Sequence, residues 1–142
     1  MNRIKRRTYS ICLIVISIVI TSCGGKSFLL KRAKQGAEVS HNVYEFITPQ
    51  VVEQIEGIVE KDRARTITES DREKLRSLNE FKKILDDYSS THNLFVEALK
   101  TWEQTEKEPD NVVLLENQVL RLINRALDMA GEFGMQIPAG LR

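Results

Sequence analysis

Hydrophobic residues follow two different patterns along this chain. Residues 11–20 form one apolar run that is interrupted only by Ser17. From residue 28 to residue 133, apolar side chains instead recur at every third or fourth position among charged and polar ones. That spacing places the apolar side chains on one face of an α-helix. The sequence therefore predicts a short apolar segment followed by an all-α region.

The first predicted helix spans residues 28–61 and contains Pro49 near its middle. Proline fits the first turn of a helix but disrupts a helix interior. The pattern therefore leaves open two helices, with Thr48 capping the second, or one helix kinked at Pro49. We favour the single kinked helix. Its apolar stripe consists of Leu29, Ala33, Ala37, Val43 or Tyr44, Ile47, Val51, Val52, Ile55, Ile58 and Val59.

The second predicted helix spans residues 69–106 and begins after a polar connection, residues 62–67. Thr68 and Asp71 have the spacing of a capping box, with Asp in place of the usual Glu or Gln. The apolar stripe keeps its phase across Ser89–Thr91, which favours one continuous helix of about 57 Å. The stripe consists of Leu75, Leu78, Phe81 or Lys82, Leu85, Tyr88, His92, Phe95, Leu99 and Trp102.

The third predicted helix spans residues 112–133, after a turn at 108–111, and Gly134 is a plausible left-handed stop. Short connections make successive helices antiparallel neighbours. Residues 28–133 are therefore predicted to form an elongated antiparallel three-helix bundle, followed by a flexible tail at 134–142. The apolar face of the third helix comprises Val112, Leu115, Val119, Leu122 or Ile123, Ala126 and Ala130, and Leu114, Leu120 and Leu127 widen it.

The apolar run at residues 11–20 has the features of an export signal. Ten helical residues span about 15 Å, about half of the hydrocarbon core of a bilayer, which suits a signal better than a permanent span. A basic flank before such a run stays on the cytoplasmic side during insertion. The flank contains four basic residues and no acidic one: Arg3, Lys5, Arg6 and Arg7.

The run ends in Ile20-Thr21-Ser22-Cys23, which resembles the lipobox of bacterial lipoproteins. The resemblance covers residues 1–23 and implies a signal peptide at 1–22, cleavage before Cys23 and diacylglyceryl attachment to its thiol. Residues 23–27 would then be the lipidated cysteine and a short tether. Gly24 implies sorting to the periplasmic face of the outer membrane, or the outer face of the cell membrane in a monoderm bacterium. An ordinary cleaved signal and an uncleaved membrane anchor are the alternatives.

Charge and cysteine content narrow the function of the mature chain. Without the leader, the chain has 17 basic and 20 acidic residues, a net charge of −3, which is unfavourable for nucleic-acid binding. Cys12 and Cys23 are the only cysteines, so the mature domain has no disulfide. A basic group directly after the anchor either contacts anionic lipid head groups or is a solvated helix start. Its members are Lys26, Lys31, Arg32 and Lys34.

Candidate chemistry in the mature chain is sparse. The two histidines are His41, expected at the surface, and His92, expected as a hydrogen-bonded packing residue on the apolar stripe. A zinc site needs three or four convergent ligands, and no HExxH motif is present. We therefore predict no catalytic or metal residue, no cofactor and no small-molecule substrate. The aromatic set is expected in the core, with a partner-docking groove as the alternative: Tyr44, Phe81, Tyr88, Phe95 and Trp102.

Residues 66–127 resemble, in layout, small helical lipoproteins of prophages and their bacterial hosts. The shared pattern is Ile67-Thr68-Glu69, then Tyr88 with His92-Asn93 and Trp102, and an apolar third helix. The resemblance implies a non-enzymatic periplasmic protein and carries no functional residues with it.

These features favour one function over two alternatives. The favoured hypothesis is a lipid-anchored, non-catalytic helical envelope protein that binds the membrane through Cys23 and acts on an unidentified protein partner or on the envelope. The first alternative is a prophage-linked lysis or superinfection-exclusion lipoprotein. The second is a metal-binding or hydrolytic helical bundle, centred on His92.

Overall fold

The structure is a computed structural model that describes residues 25–138. This part contains three helices, α1 (Lys26–Arg63), α2 (Glu69–Thr105) and α3 (Val112–Glu132), and no strand. Helix α2 packs against both other helices, and α1 also contacts α3. The predicted all-α three-helix bundle is therefore confirmed. The predicted signal, residues 1–22, and the lipid site, Cys23, lie outside the described residues.

Contacts between side chains fix the direction of the helices. The early part of α1 meets the late part of α2, where Lys34 and Glu103 form an ion pair of 2.7 Å. The end of α1 meets the start of α2, where Lys61 and Asp71 are also 2.7 Å apart. These two pairs make α1 and α2 antiparallel. Because α3 follows a short turn and runs back along α2, it is parallel to α1.

Helix α1 is continuous through Pro49, which confirms one helix and excludes the two-helix alternative. Proline has no amide proton and therefore leaves a carbonyl of the preceding turn without its usual donor. Side chains beside the proline bind carbonyls of that turn. Thr48 Oγ1 donates to the Tyr44 carbonyl at 2.8 Å, and Gln50 Nε2 donates to the Phe46 carbonyl at 3.0 Å.

The N-terminus of α2 carries the predicted capping box. Thr68 Oγ1 accepts from the Asp71 amide at 3.1 Å, and Asp71 Oδ2 accepts from the Thr68 amide at 3.0 Å. Lys61 Nζ donates to the other carboxylate oxygen at 2.7 Å. The Lys61 ammonium and the two Thr68 donors hold the pKa of the Asp71 carboxyl well below its usual value. One short loop therefore joins the end of α1 to the start of α2.

Replacing Thr68 with alanine should lower the free energy of unfolding by about 1 kcal/mol, since it removes an N-cap acceptor. The matched control is Thr101→Ala, which removes an exposed threonine inside α2 whose hydroxyl binds the Glu97 carbonyl. Alanine has the higher helix propensity, so this control should be neutral or slightly stabilising. Urea unfolding followed by circular dichroism measures both. An equal loss in the two variants would contradict the capping role.

The core matches the predicted stripes closely. The predicted apolar positions of α2 from Leu78 to Trp102 are all buried, and Ile123 rather than Leu122 is the buried member of its pair in α3. Two leucines assigned to the widened apolar face of α3, Leu114 and Leu120, are exposed. That assignment is therefore wrong, because both side chains point away from the other helices.

Four helix boundaries and the tail differ slightly from the prediction, namely both ends of α1 and the last residues of α2 and α3. Helix α1 starts at Lys26, two residues early, so within residues 25–27 only Gly25 remains outside a helix. Gly134 has φ +69°, which confirms the left-handed stop after α3. The Met135 amide then donates to the Ala130 carbonyl at 2.9 Å, and the Met135 side chain is buried in the core. The predicted loose tail at 134–142 is thus wrong at its start, since Met135 and Ile137 pack on the bundle.

Candidate functional site

Titratable and aromatic side chains converge at one place, the middle of the interface between α1 and α2. The rings of His41 and His92 stack with centroids 5.2 Å apart, and His92 stacks on Tyr88 at 5.5 Å. Tyr88 in turn stacks on Tyr44 at 5.2 Å. Two of these residues, His41 and Tyr44, lie on α1 and two, Tyr88 and His92, lie on α2, and we call the four the ring stack. The predicted packing role of His92 is confirmed, because its side chain is buried and hydrogen-bonded.

His92 is bound to the backbone of the opposite helix. Its Nε2 lies 3.1 Å from the carbonyl oxygen of Ala37. A carbonyl only accepts, so Nε2 carries the proton and Nδ1 is the free acceptor of the neutral ring. The same carbonyl accepts from Ser40 Oγ at 3.0 Å. The Ala37 carbonyl is therefore the point where a side chain of α2 is tied to α1.

The hydroxyl of Tyr88 is the unusual group in the ring stack. It is buried and has no hydrogen-bond partner. Burial raises the pKa of Tyr88 to about 12, and the nearby Ser40 hydroxyl opposes this shift without completing a hydrogen bond. Tyr88 therefore stays a neutral phenol at physiological pH. Its ring contributes packing, and its hydroxyl carries a desolvation cost.

The geometry of the ring stack does not assemble an activated nucleophile. Ser40 donates to the Ala37 carbonyl and not to an imidazole, and its side chain is buried. The half-exposed His41 pairs instead with Glu45 on its own helix, at 3.5 Å. Among residues 25–138, no group of three or more histidine, cysteine or acidic side chains could hold a metal ion. The hydrogen bond between His92 and the Ala37 carbonyl instead fixes the register of α1 against α2.

Lowering the pH should weaken the bundle through His92. Burial lowers the pKa of this imidazole, the hydrogen bond to Ala37 opposes that shift, and His41 adds to it. Below the ordinary value of about 6.5, the unfolded chain takes up a proton that the folded chain does not. The free energy of unfolding should therefore fall as the pH drops from about 7, by at most about 1.4 kcal/mol per pH unit.

The control for this pH dependence is His92→Gln, which keeps a donor for the Ala37 carbonyl but does not titrate. Glu116 contributes with the opposite sign, because burial raises the pKa of its carboxyl. The change in the free energy of unfolding between pH 7 and pH 5 is therefore measured by urea unfolding for the wild type and for His92→Gln, and the two changes are compared. Identical slopes in both proteins would contradict the assignment to His92.

Two shallow grooves lie outside the ring stack. One has a volume of about 340 Å³ between α2 and the start of α3, and it is lined by Leu94, Glu97 and Leu115 among others. The other has a volume of about 360 Å³ beside the first turns of α1, lined by Leu30, Lys31 and neighbours. Both are open to solvent. Neither encloses a small molecule as ligand pockets usually do.

The surface at the start of α1 is the second candidate. Four exposed apolar residues lie in the first turns of α1 and α3: Phe28, Leu29, Val113 and Leu114. The sequence pattern had counted Leu29 and Leu114 in the core. The basic group of α1 lies beside them, but Lys34 is already paired with Glu103. We call the four apolar residues the basal surface, because they lie at the end of the bundle where α1 begins.

None of the helices between residues 25 and 138 is both long and apolar enough to pass through a bilayer. No protein-family model, curated protein or solved structure matches this chain.

Proposed function

We propose that this protein is a lipid-anchored, non-catalytic helical module of the bacterial envelope. The lipobox-like ending of the apolar segment carries this proposal, because it places one cysteine, Cys23, where lipoproteins are acylated. Lipid attached there would bind the bilayer, and the helical bundle would contact a protein or another envelope component. In a diderm bacterium the site of action would be the periplasmic face of the outer membrane.

The short distance between Cys23 and α1 supports a role at the membrane surface. Helix α1 begins at Lys26, three residues after Cys23. Three extended residues reach at most about 10 Å. A tether this short would keep the first turns of α1 at the bilayer surface, and the bundle could reach into the periplasm only by its own length, about 57 Å for a helix of 38 residues.

The ring stack supports a binding role more than a catalytic one. Its histidines and tyrosines pack against one another, and His92 also makes a hydrogen bond to the backbone of α1. Calorimetric titration with Zn²⁺ tests the metal-binding alternative, and we expect no heat of binding. Binding that disappears in His92→Ala would revive that alternative.

Sorting tests the proposed location. In the lipoproteins that the leader resembles, Asp directly after the lipidated cysteine retains the protein in the inner membrane. The wild-type chain has Gly24 and is expected in the outer-membrane fraction of a sucrose gradient, when expressed in a diderm host. Gly24→Asp should move it to the inner-membrane fraction. Gly24→Ala is the matched control and should leave it in the outer membrane. An unchanged distribution in Gly24→Asp would contradict the proposed sorting.

A further inference from the structure

The basal surface consists of large side chains that the fold leaves uncovered. Phe28 and Leu29 are 57% and 47% exposed, and Val113 and Leu114 are 54% and 56% exposed. Single exposed apolar residues are ordinary on a protein surface, but a group of them at one place marks an interaction site. The two residues from α1 and the two from α3 are more than 80 positions apart along the chain.

The antiparallel fold brings these two segments to the same end of the bundle. The Lys34–Glu103 ion pair places the last turns of α2 beside the first turns of α1. Helix α3 begins at Val112, a short turn after the end of α2, so its first residues lie at the same end of the bundle. Arg32 is close enough to Glu116 to oppose the upward shift of that carboxyl's pKa. The first turns of α1 and α3 therefore lie at one level.

The short chain distance between Cys23 and the start of α1 indicates that a bilayer covers this surface. The chain leaves α1 at the same end, and the proposed lipid lies within about 10 Å of its first residue. The bilayer head groups would then face the basal surface directly. A tether this short makes the second contact intramolecular, so even a weak affinity for the membrane is sufficient to hold the bundle down.

Charge contributes little to this contact. Lys34 is paired with Glu103, and the turn between α2 and α3 adds three acidic residues, Glu106, Glu108 and Asp110, against one basic residue, Lys107. Acidic residues there offset the basic group of α1. The attraction of the basal surface for a membrane is therefore apolar, and anionic lipid should not be required.

We propose that the basal surface inserts into the head-group region of the bilayer and holds the bundle upright on the membrane, an inference that rests on the lipid anchor proposed above. Phe28 and Leu29 are the contacts from α1, and Val113 and Leu114 are the contacts from α3. The ring stack and the far end of the bundle then face the periplasm, where a partner would have access to them.

Spin labels at matched leucines test this orientation. Leu114→Cys places a nitroxide on the basal surface, and Leu94→Cys places one at an equally exposed position, 61%, on α2. Leu94 lies nine residues before Glu103, which corresponds to about 14 Å along the helix. The native thiol of Cys23 is consumed by the lipid and Cys12 leaves with the signal, so each variant carries one reactive thiol. The full lipidated chain is reconstituted in vesicles of phosphatidylethanolamine and phosphatidylglycerol.

Collision rates with oxygen and with a water-soluble nickel complex report immersion. At residue 114 the oxygen-to-nickel ratio should be several-fold higher than at residue 94, and it should persist in vesicles of phosphatidylcholine alone. A ratio typical of water at both positions would overturn the proposal, as would a dependence on the anionic lipid. Shielding of residue 114 from both agents would also overturn it, in favour of contact with a second copy of the chain at this surface. Failure of the protein to float with the vesicles would instead count against the lipid anchor itself.

Discussion

Phe81→Ala is expected to lower the free energy of unfolding by about 3–5 kcal/mol, the range found when a buried aromatic ring is removed. Phe81 is fully buried in α2, and its ring stacks on Phe133 with centroids 5.9 Å apart. The ring therefore joins α2 to the end of α3. Its removal would lose apolar burial and leave a cavity that the rigid helices on either side could close only in part.

A loss of this size would be a large fraction of the stability of a small domain, which is typically about 5–15 kcal/mol. The matched control is Leu94→Ala, which removes an exposed leucine from the same helix and should change stability by about 0.5 kcal/mol or less. Urea unfolding followed by circular dichroism measures both variants. Comparable losses in Phe81→Ala and Leu94→Ala would contradict the buried packing of Phe81 against the end of α3.

Cys23→Ser is expected to abolish cleavage of the leader and transport of the protein to the outer membrane. In the bacterial lipoproteins that the leader resembles, the lipid is transferred to a cysteine thiol, and cleavage before that residue requires the acylated cysteine. A serine hydroxyl has a far higher pKa and is a much weaker nucleophile at neutral pH. The variant should therefore keep residues 1–22 and run as a larger precursor, retained in the inner membrane by its apolar segment.

Cys12→Ser is the control for this variant, because it changes the only other cysteine and leaves the lipobox intact. It should be processed like the wild type. Immunoblots of fractionated cells and mass spectrometry of the purified chains give the answer. A Cys23→Ser chain that is cleaved between residues 22 and 23 would indicate an ordinary signal peptide instead.

The features that could be predicted from the sequence are those set by local interactions. Apolar spacing of three to four residues defines which face of each helix is buried, and it placed the ends of all three helices within two residues. The capping box of Thr68 and Asp71 is visible because both partners lie within one turn. The stop at Gly134 is visible because glycine alone adopts positive φ without strain.

What could not be predicted depends on how helices are rotated and shifted against each other. His41 is exposed, as expected, but nothing in the sequence pattern indicates that its ring stacks on His92, which is 51 positions away. Leu114 looked like a core residue because it is apolar, yet a rotation of 100° per residue turns it away from the buried Leu115. The ring stack is a product of tertiary register, and apolar periodicity carries no information about that register. The exposure of Leu114 instead follows from its position one residue out of phase with Leu115.

Metabolic labelling with radioactive palmitate tests the lipid anchor most directly. Cells expressing the wild-type chain or Cys23→Ser are grown with the label, and the protein is isolated by immunoprecipitation. The account predicts labelled wild-type protein and an unlabelled variant. An unlabelled wild type, or equal label in the two chains, would contradict it.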